Sequence, residues 1–147
     1  MGYLKGIDTS ASALTAQRLR MDTISQNIAN ANTTRTENGT PYRRKVVLFE
    51  EREGKAPFSQ YLNDAEGSYS AGNGVRVSEI VEDNAPLKLV YDPGNPDADQ
   101  NGYIQMPNVD IVTEMVNMIS ATRAYEANVT ALNSTKSMAV KALEIGK

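Results

Sequence analysis

Residues 109–145 read VDIVTEMVNMISATRAYEANVTALNSTKSMAVKALEI, a run of 37 positions that no Pro or Gly interrupts. Ile111, Met118, Tyr125, Leu132 and Ala139 recur every seven residues. Met115, Thr122, Val129 and Leu143 supply most of a second column, with Lys136 the exception. Two columns at this spacing describe one continuous amphipathic helix, and Gly146 provides its stop. Val109, Val112, Val116 and Ile119 add a second apolar strip to its first half, so that half is expected to meet neighbours on more than one side. At 1.5 Å per residue this helix is about 55 Å long. A compact domain of this size has a diameter of about 38 Å if spherical. The molecule is therefore expected to be elongated.

The other end carries a matching signal. Over residues 5–31, Ile7, Leu14, Met21 and Ile28 form a heptad column that Ala11, Ile24 and Ala31 extend, with Arg18, Arg20, Asp22 and Gln26 off the stripe. Thr9, Ser10 and Ser12 are poor helix formers, so the first turn is expected to start late or fray. The helix dissolves in residues 27–36, NIANANTTRT. Asn and Thr bond to nearby backbone and favour turns. Asn27, Asn30 and Asn32 can serve in two ways: in capping within the chain, or in hydrogen bonds from helix to loop or between subunits.

Between the helices, residues 37–107 hold all six prolines and seven of the ten glycines. Arg44–Glu50, Val75–Ile80 and Leu87–Tyr91 read as strands, with Gly72-Asn73-Gly74 a turn before the second. Residues 51–73 have no clear period and read as a long loop. The fold class expected is α+β: long N- and C-terminal helices paired as a coiled coil, with a small β-rich central segment. Residues 1–36 and 108–147 form a discontinuous helical domain around the segment 37–107.

Composition excludes most chemistry. The chain of 147 residues has no Cys and no His, which removes thiol nucleophiles, the usual zinc ligands and the commonest acid–base group. A net charge of −3, with no basic stripe longer than Arg43-Arg44-Lys45, argues against nucleic acid as a partner. No apolar run reaches 18 residues, and the N-terminus lacks the apolar core of a cleavable leader, so neither membrane insertion nor a cleaved signal peptide is expected. No phosphate loop or nucleophile–base constellation is present. An enzyme is not expected, nor is a cofactor.

One local match concerns a metal. Asp97, Asp99 and Asn101, followed by Gly102, follow the calcium-loop pattern at positions 1, 3, 5 and 6. Position 12 is Asn108 rather than Glu, and Pro93 and Pro96 forbid an entering helix. A polar turn leading to the C-terminal helix, with Asn108 or Asp110 near its N-cap, is the competing reading. A calcium-binding module and a coiled-coil adaptor of a secretion apparatus are therefore the alternatives to a structural role. The cluster Tyr42-Arg43-Arg44-Lys45 reads either as an anion site or as the solvated start of a strand. The sequons at Asn32, Asn38, Asn128 and Asn133 read as chance.

A specific resemblance joins both ends. The stretch A-x-R-x-R-M-D-x-I-x-x-N-I-A-N-A-N-T-T-R-T, with Pro41-Tyr42-Arg43-Arg44-Lys45 behind it, resembles the proximal-rod proteins of the bacterial flagellar basal body, within the rod and hook axial family. So do Asn108-Val109-Asp110 through Val116, Arg123-Ala124-Tyr125-Glu126-Ala127-Asn128-Val129, and Val90-Tyr91-Asp92-Pro93-Gly94 through Tyr103. Asn95 stands where the resemblance leads one to expect His. The resemblance implies a self-assembling structural subunit of the basal body, exported across the cytoplasmic membrane by a type III apparatus without leader cleavage. Its terminal helices would form an inner layer. Its partners would be other rod proteins, the adaptor between rod and export gate, and further copies of itself. The subunit-packing seam it implies runs through Ile7, Leu14, Met21, Ile24, Ile28, Ile111, Met115, Met118, Tyr125, Val129 and Leu132, with Asn27, Asn30, Asn32, Arg123 and Asn128 as the family's polar positions.

Overall fold

A computed structural model describes residues 2–52 and 73–145. The elements are α1 (Gly2–Ala29), β1 (Lys45–Glu51), β2 (Val75–Glu82), β3 (Lys88–Tyr91), β4 (Tyr103–Met106) and α2 (Ile111–Ile145). Two long helices with small antiparallel sheets between them in sequence make the class α+β. Apart from its ends, the loop expected over residues 51–73 lies outside the described residues.

The start of α1 does not fray where its hydroxyls predict. Thr9 Oγ1 donates to the Lys5 carbonyl at 2.9 Å and Ser12 Oγ to that of Thr9 at 2.7 Å. Hydroxyls that bond back to their own helix no longer compete for a turn. At the other end the Asn30 side-chain amide donates to the Gln26 carbonyl at 2.9 Å, which also accepts the Asn30 backbone N–H at 3.1 Å. The backbone then tightens through Ala31 N to Ile28 O and Thr33 N to Asn30 O. For α2 the N-cap is Asp110. Its carboxylate accepts from Thr113 Oγ1 at 2.5 Å, and this hydroxyl, with the N–H groups of Thr113 and Val112, holds it below the usual carboxylate range.

The helices run antiparallel: Asn27 meets Glu114, and Thr122 Oγ1 lies 3.6 Å from Met21 Sδ, so residue numbers fall along α1 as they rise along α2. Among the described elements, α1 packs against α2, β1 and β2, whereas α2 packs against α1 alone. Strands β1 and β2 pair with Val47 opposite Ile80, and a bulge between Leu48 and Phe49 shifts the register. Their sheet is pinned to α1 where Val75 N–H donates to Ser12 Oγ at 3.1 Å. The backbone comes so close there that any Cβ on Gly74, which sits at φ +91°, would strike Ser12.

Strands β3 and β4 form a hairpin with Tyr91 opposite Tyr103, their rings edge to face at 5.3 Å. Strand β4 falls inside the stretch the sequence reading assigns to a polar turn. Only four residues long and flanked by Gly102 and Pro107, it is too short to show a period. Gly102 must be glycine: its φ is +77°, and a Cβ would press on the Tyr91 ring and Pro93. Val109 departs from the expected outer strip. It precedes α2 and is buried with Ala31 and Tyr42.

The centre of the molecule is polar. Asn27 is fully buried, and its amide makes four hydrogen bonds. Nδ2 donates to the Lys45 carbonyl at 2.8 Å and to Glu114 Oε2 at 3.1 Å. Oδ1 accepts from Tyr42 Oη and from Lys45 N–H, both at 2.9 Å. Glu114, only 1% exposed, takes its second bond from Arg44 Nε at 2.8 Å. Arg44 also reaches Asp83 at 3.3 Å, and its own N–H donates to Asn108 Oδ1 at 2.8 Å. Asn108 Nδ2 in turn donates to the Asp83 carbonyl at 3.0 Å. Burial pulls the Arg44 guanidinium down, but the hydrogen bond and charge of Glu114, then of Asp83, outweigh it and hold it above its ordinary value. Every strong donor and acceptor of Asn27 is used, the condition under which a buried amide is not a liability.

Two consequences can be measured. Asn27→Ala orphans the Tyr42 hydroxyl, both backbone groups of Lys45 and one oxygen of Glu114. At ~1–3 kcal/mol per orphaned buried group, urea unfolding should show a loss of about 3 kcal/mol or more. Glu114→Gln turns an N–H₂ toward either Asn27 Nδ2 or Arg44 and should lose about 1–3 kcal/mol; an unchanged urea midpoint in either variant would contradict this account of the centre. The second consequence is alkaline. Burial, then the charges of Glu114 and Glu82, raise the Tyr42 hydroxyl above its ordinary 10.0. The unfolded chain gives up this proton near pH 10 and the folded chain later, so the Tyr42 contribution is complete below pH 10 and falls away as pH rises through the folded pKa. In Tyr42→Phe the decline of Tm above pH 10 should be shallower than in the parent.

Candidate assembly interface

The inner face of α2 is a heptad of mixed chemistry. Glu114, Met118, Ala121, Tyr125, Asn128, Leu132, Thr135 and Ala139, alternately four and three residues apart, are all buried or half-buried. The column Met118, Tyr125 and Leu132 is the one the apolar spacing picks out. The second covered column is Glu114, Ala121, Asn128 and Thr135, one residue before the Met115, Thr122, Val129 column. Hydrophobicity alone passes over Glu114 and Asn128. Yet Glu114 is paid for by Arg44 and Asn27, and the Asn128 amide by the Ala124 carbonyl of its own helix at 2.8 Å. On α1, Ile24 is buried, and Ile7, Leu14, Met21 and Ile28 are half-buried. Much of the apolar set named from the sequence is therefore at least half covered within one chain, Val129 included.

Ile111 and Met115 are different. They lie exposed on the outer side of α2, next to Val112 at 65%, Val116 at 61% and Ile119 at 53% exposure. The spacing of Val112, Val116 and Ile119, four then three, aligns them on one face. Five neighbouring large apolar side chains on a helix face that no other described element covers form the signature of a contact surface. A second apolar region lies on the β3–β4 hairpin, where Leu89, Tyr91 and Tyr103 are exposed. A third is the far end of α2, where Val140, Leu143 and Ile145 are exposed. Among the described residues seven apolar side chains are buried while eighteen large ones are exposed.

The polar positions divide. Asn27 bonds wholly within the chain, from helix to strand. Asn30 bonds to its own helix and accepts from Thr33 Oγ1 at 3.2 Å. Asn32 and Arg123 are exposed. The cluster Tyr42 to Lys45 is no solvated strand start: Tyr42 is buried, and Arg44 binds an anion, the chain's own Glu114. The functional partners missed from sequence are Glu114, Asp83 and Asn108. The readable trace of them is that Asn27, three residues after Ile24 and four before Ala31, is polar on a covered face.

The calcium-like loop closes the β3–β4 hairpin. Asp97 accepts from Thr34 Oγ1 at 2.8 Å and faces Arg35 at 3.9 Å, while Asp99 accepts from the Gln100 N–H at 2.7 Å. Asn101 is exposed. Strand β4 occupies positions 7–10 of the twelve-residue pattern and pairs with β3. Among the described residues no three acidic side chains converge as metal ligands would. The open hollows beside this loop are polar and lined by such residues as Thr34, Arg35 and Asp97. Nothing in them assembles a nucleophile with a base.

Known proteins match the chain along its whole length. Residues 7–35 match the family described as flagella basal body rod protein, and residues 100–145 the C-terminal family of flagellar basal body rod FlgEFG proteins. The flagellar basal-body rod protein FlgC of Bacillus subtilis is 57% identical with both chains covered in full. That of Borreliella burgdorferi is 50% identical, over 99% of this chain and 98% of its own. That of Escherichia coli O6:H1 is 46% identical, again with full coverage of both. With a family match on each terminal helix and such identity over the full length of both chains, the chain belongs to the FlgC family of flagellar basal-body rod proteins.

Proposed function

We propose that this chain is a structural subunit of the bacterial flagellar basal-body rod, that it catalyses no reaction, and that it polymerises helically with its terminal helices inward and its β elements outward. The observation that carries this reading is the outer strip of α2. A helix with one face held by α1 leaves Val112, Met115, Val116 and Ile119 in water, at a cost of roughly 1.5–3 kcal/mol for each side chain that a neighbour could bury. A lone protein gains nothing from that arrangement, and a subunit gains its contact. Its neighbours are other rod proteins, further copies of itself and the adaptor that joins the rod to the export gate. It reaches the basal body across the cytoplasmic membrane without a cleaved leader. Among the described residues no helix is long and apolar enough to cross a membrane itself.

The strip gives the test. Val116→Asp removes an exposed side chain, so the Tm of the isolated protein should move by no more than the equivalent of ~0.5 kcal/mol. The same substitution buries a charge in the assembled contact and should abolish motility and incorporation into purified basal bodies. Full motility with Val116→Asp would refute the reading. The isolated protein should also show graded hydrogen exchange along α2, strong near Glu114 and weak beyond Ala139, because a long helix needs a partner face to stay formed. Uniform strong protection over residues 111–143 at low concentration would contradict it.

A further inference from the structure

The chain holds three Asn-Gly pairs, Asn38-Gly39, Asn73-Gly74 and Asn101-Gly102. Such a pair is chemically labile. With no side chain on the second residue, its backbone nitrogen can reach the amide carbon of the Asn before it. The structure treats two of the pairs alike and the third differently. Asn38-Gly39 and Asn101-Gly102 occupy the same kind of turn. In the first, the Thr36 N–H donates to the Thr40 carbonyl and the Gly39 N–H to the Thr36 carbonyl, both at 2.9 Å. In the second, the Asp99 N–H donates to the Tyr103 carbonyl at 2.9 Å and the Gly102 N–H to the Asp99 carbonyl at 2.8 Å. Gly39 and Gly102 have matching φ angles of +74° and +77°. In both turns the nitrogen that would attack is tied to a carbonyl upstream of the Asn.

Asn73-Gly74 sits at the entry to β2 and closes no such turn. The Gly74 carbonyl accepts from the Arg52 N–H at 2.9 Å, but among the described residues the Gly74 N–H has no acceptor. Asn73 likewise has no hydrogen-bond partner among them, by backbone or by side chain. We infer that Asn73 is a site of spontaneous deamidation in the folded protein. The Gly74 nitrogen gives up its proton to solvent and bonds to Asn73 Cγ. The Cγ–Nδ2 bond breaks, and the nitrogen, taking up a proton, leaves as ammonia. Water then opens the resulting succinimide at either carbonyl. One opening leaves aspartate; the other leaves isoaspartate, whose backbone runs through the former side chain and is longer by a methylene. Both products add a negative charge. The isoaspartate form also displaces Gly74, which is packed so closely on Ser12 that a Cβ would strike it. That form loses the Val75 N–H to Ser12 Oγ bond by which the β1–β2 sheet is pinned to α1.

The test follows the isolated protein at mildly alkaline pH, folded and in urea. Samples are digested over time, and the three Asn-Gly peptides are tracked by the mass gained when an amide becomes an acid. Fragmentation at the N–Cα bond separates aspartate from isoaspartate. In the folded protein Asn73 should convert first, with Asn38 and Asn101 roughly two- to tenfold slower, the factor expected where one hydrogen bond must break before attack. In urea, where the turns are lost, that gap should close. Conversion of Asn38 or Asn101 as fast as Asn73 in the folded protein would overturn the assignment. So would a folded Asn73 that keeps its amide while the urea sample loses it. By hydrogen exchange, the isoaspartate form should lose protection at the Val75 amide, whereas Asn73→Asp, which adds charge alone, should retain it. Equal protection in the two would overturn the loss of the pin.

Discussion

A carboxylate with almost no access to water sits where the two helices and the first strand meet, and the rest of the fold is arranged to make it tolerable. Left unpaired, a buried charge costs several kcal/mol, so Glu114 can be where it is only if Asn27 and Arg44 are where they are. That requirement joins segments 70 and 87 residues away in sequence. It also sets the rotation of α2. Turning the helix by one position would bring Met115 to Asn27, strip the amide of its acceptor and strand Glu114 in a less polar place. Apolar contacts between the helices tolerate small slips, because hydrophobic attraction has no direction. The polar centre does not, and it therefore decides which face of α2 is inner and which is outer.

Once that choice is made, the distribution of surface follows. The inner heptad includes Ala121, Asn128, Thr135 and Ala139, small or polar side chains that bury little apolar area. The outer strip carries Val112, Met115, Val116 and Ile119, which would bury more. Directional bonds fix the register at one end of the helix pair, and the outer strip stays exposed.

How much of this was legible follows from the kind of interaction involved. The helices showed because a 37-residue periodic run has no competing explanation, and the column Met118, Tyr125, Leu132 showed because it is apolar. The other inner column did not, since a search for apolar repeats selects Met115 over Glu114. Only the positions of Arg44 and Asn27 in space make Glu114 the better inner residue. Strands β1 to β3 were visible from their Val and Leu content. Strand β4 was hidden by its length and by its place inside a plausible metal-loop pattern, whose Asp97 proves to be a hydrogen-bond partner of Thr34. The stretch from Asn27 to Thr36 was rightly read as a helix end, but the division of labour within it was not. Asn30 bonds back to its own helix, and Asn27 reaches a strand 18 residues on.

The same distribution bears on how a chain with so much exposed apolar surface avoids indiscriminate association. A uniform apolar flank would bind any other. Here the strip is bounded by Asp110 at one end, whose carboxylate Thr113 holds ionised, and is broken by Thr113, Asn117 and Ser120 between the apolar positions. A partner helix must therefore offer apolar side chains at spacings of four and three and nothing acidic opposite Asp110. Selectivity thus comes less from the size of the apolar surface than from the few polar groups that frame it, the same principle by which Glu114 fixes the register inside the chain.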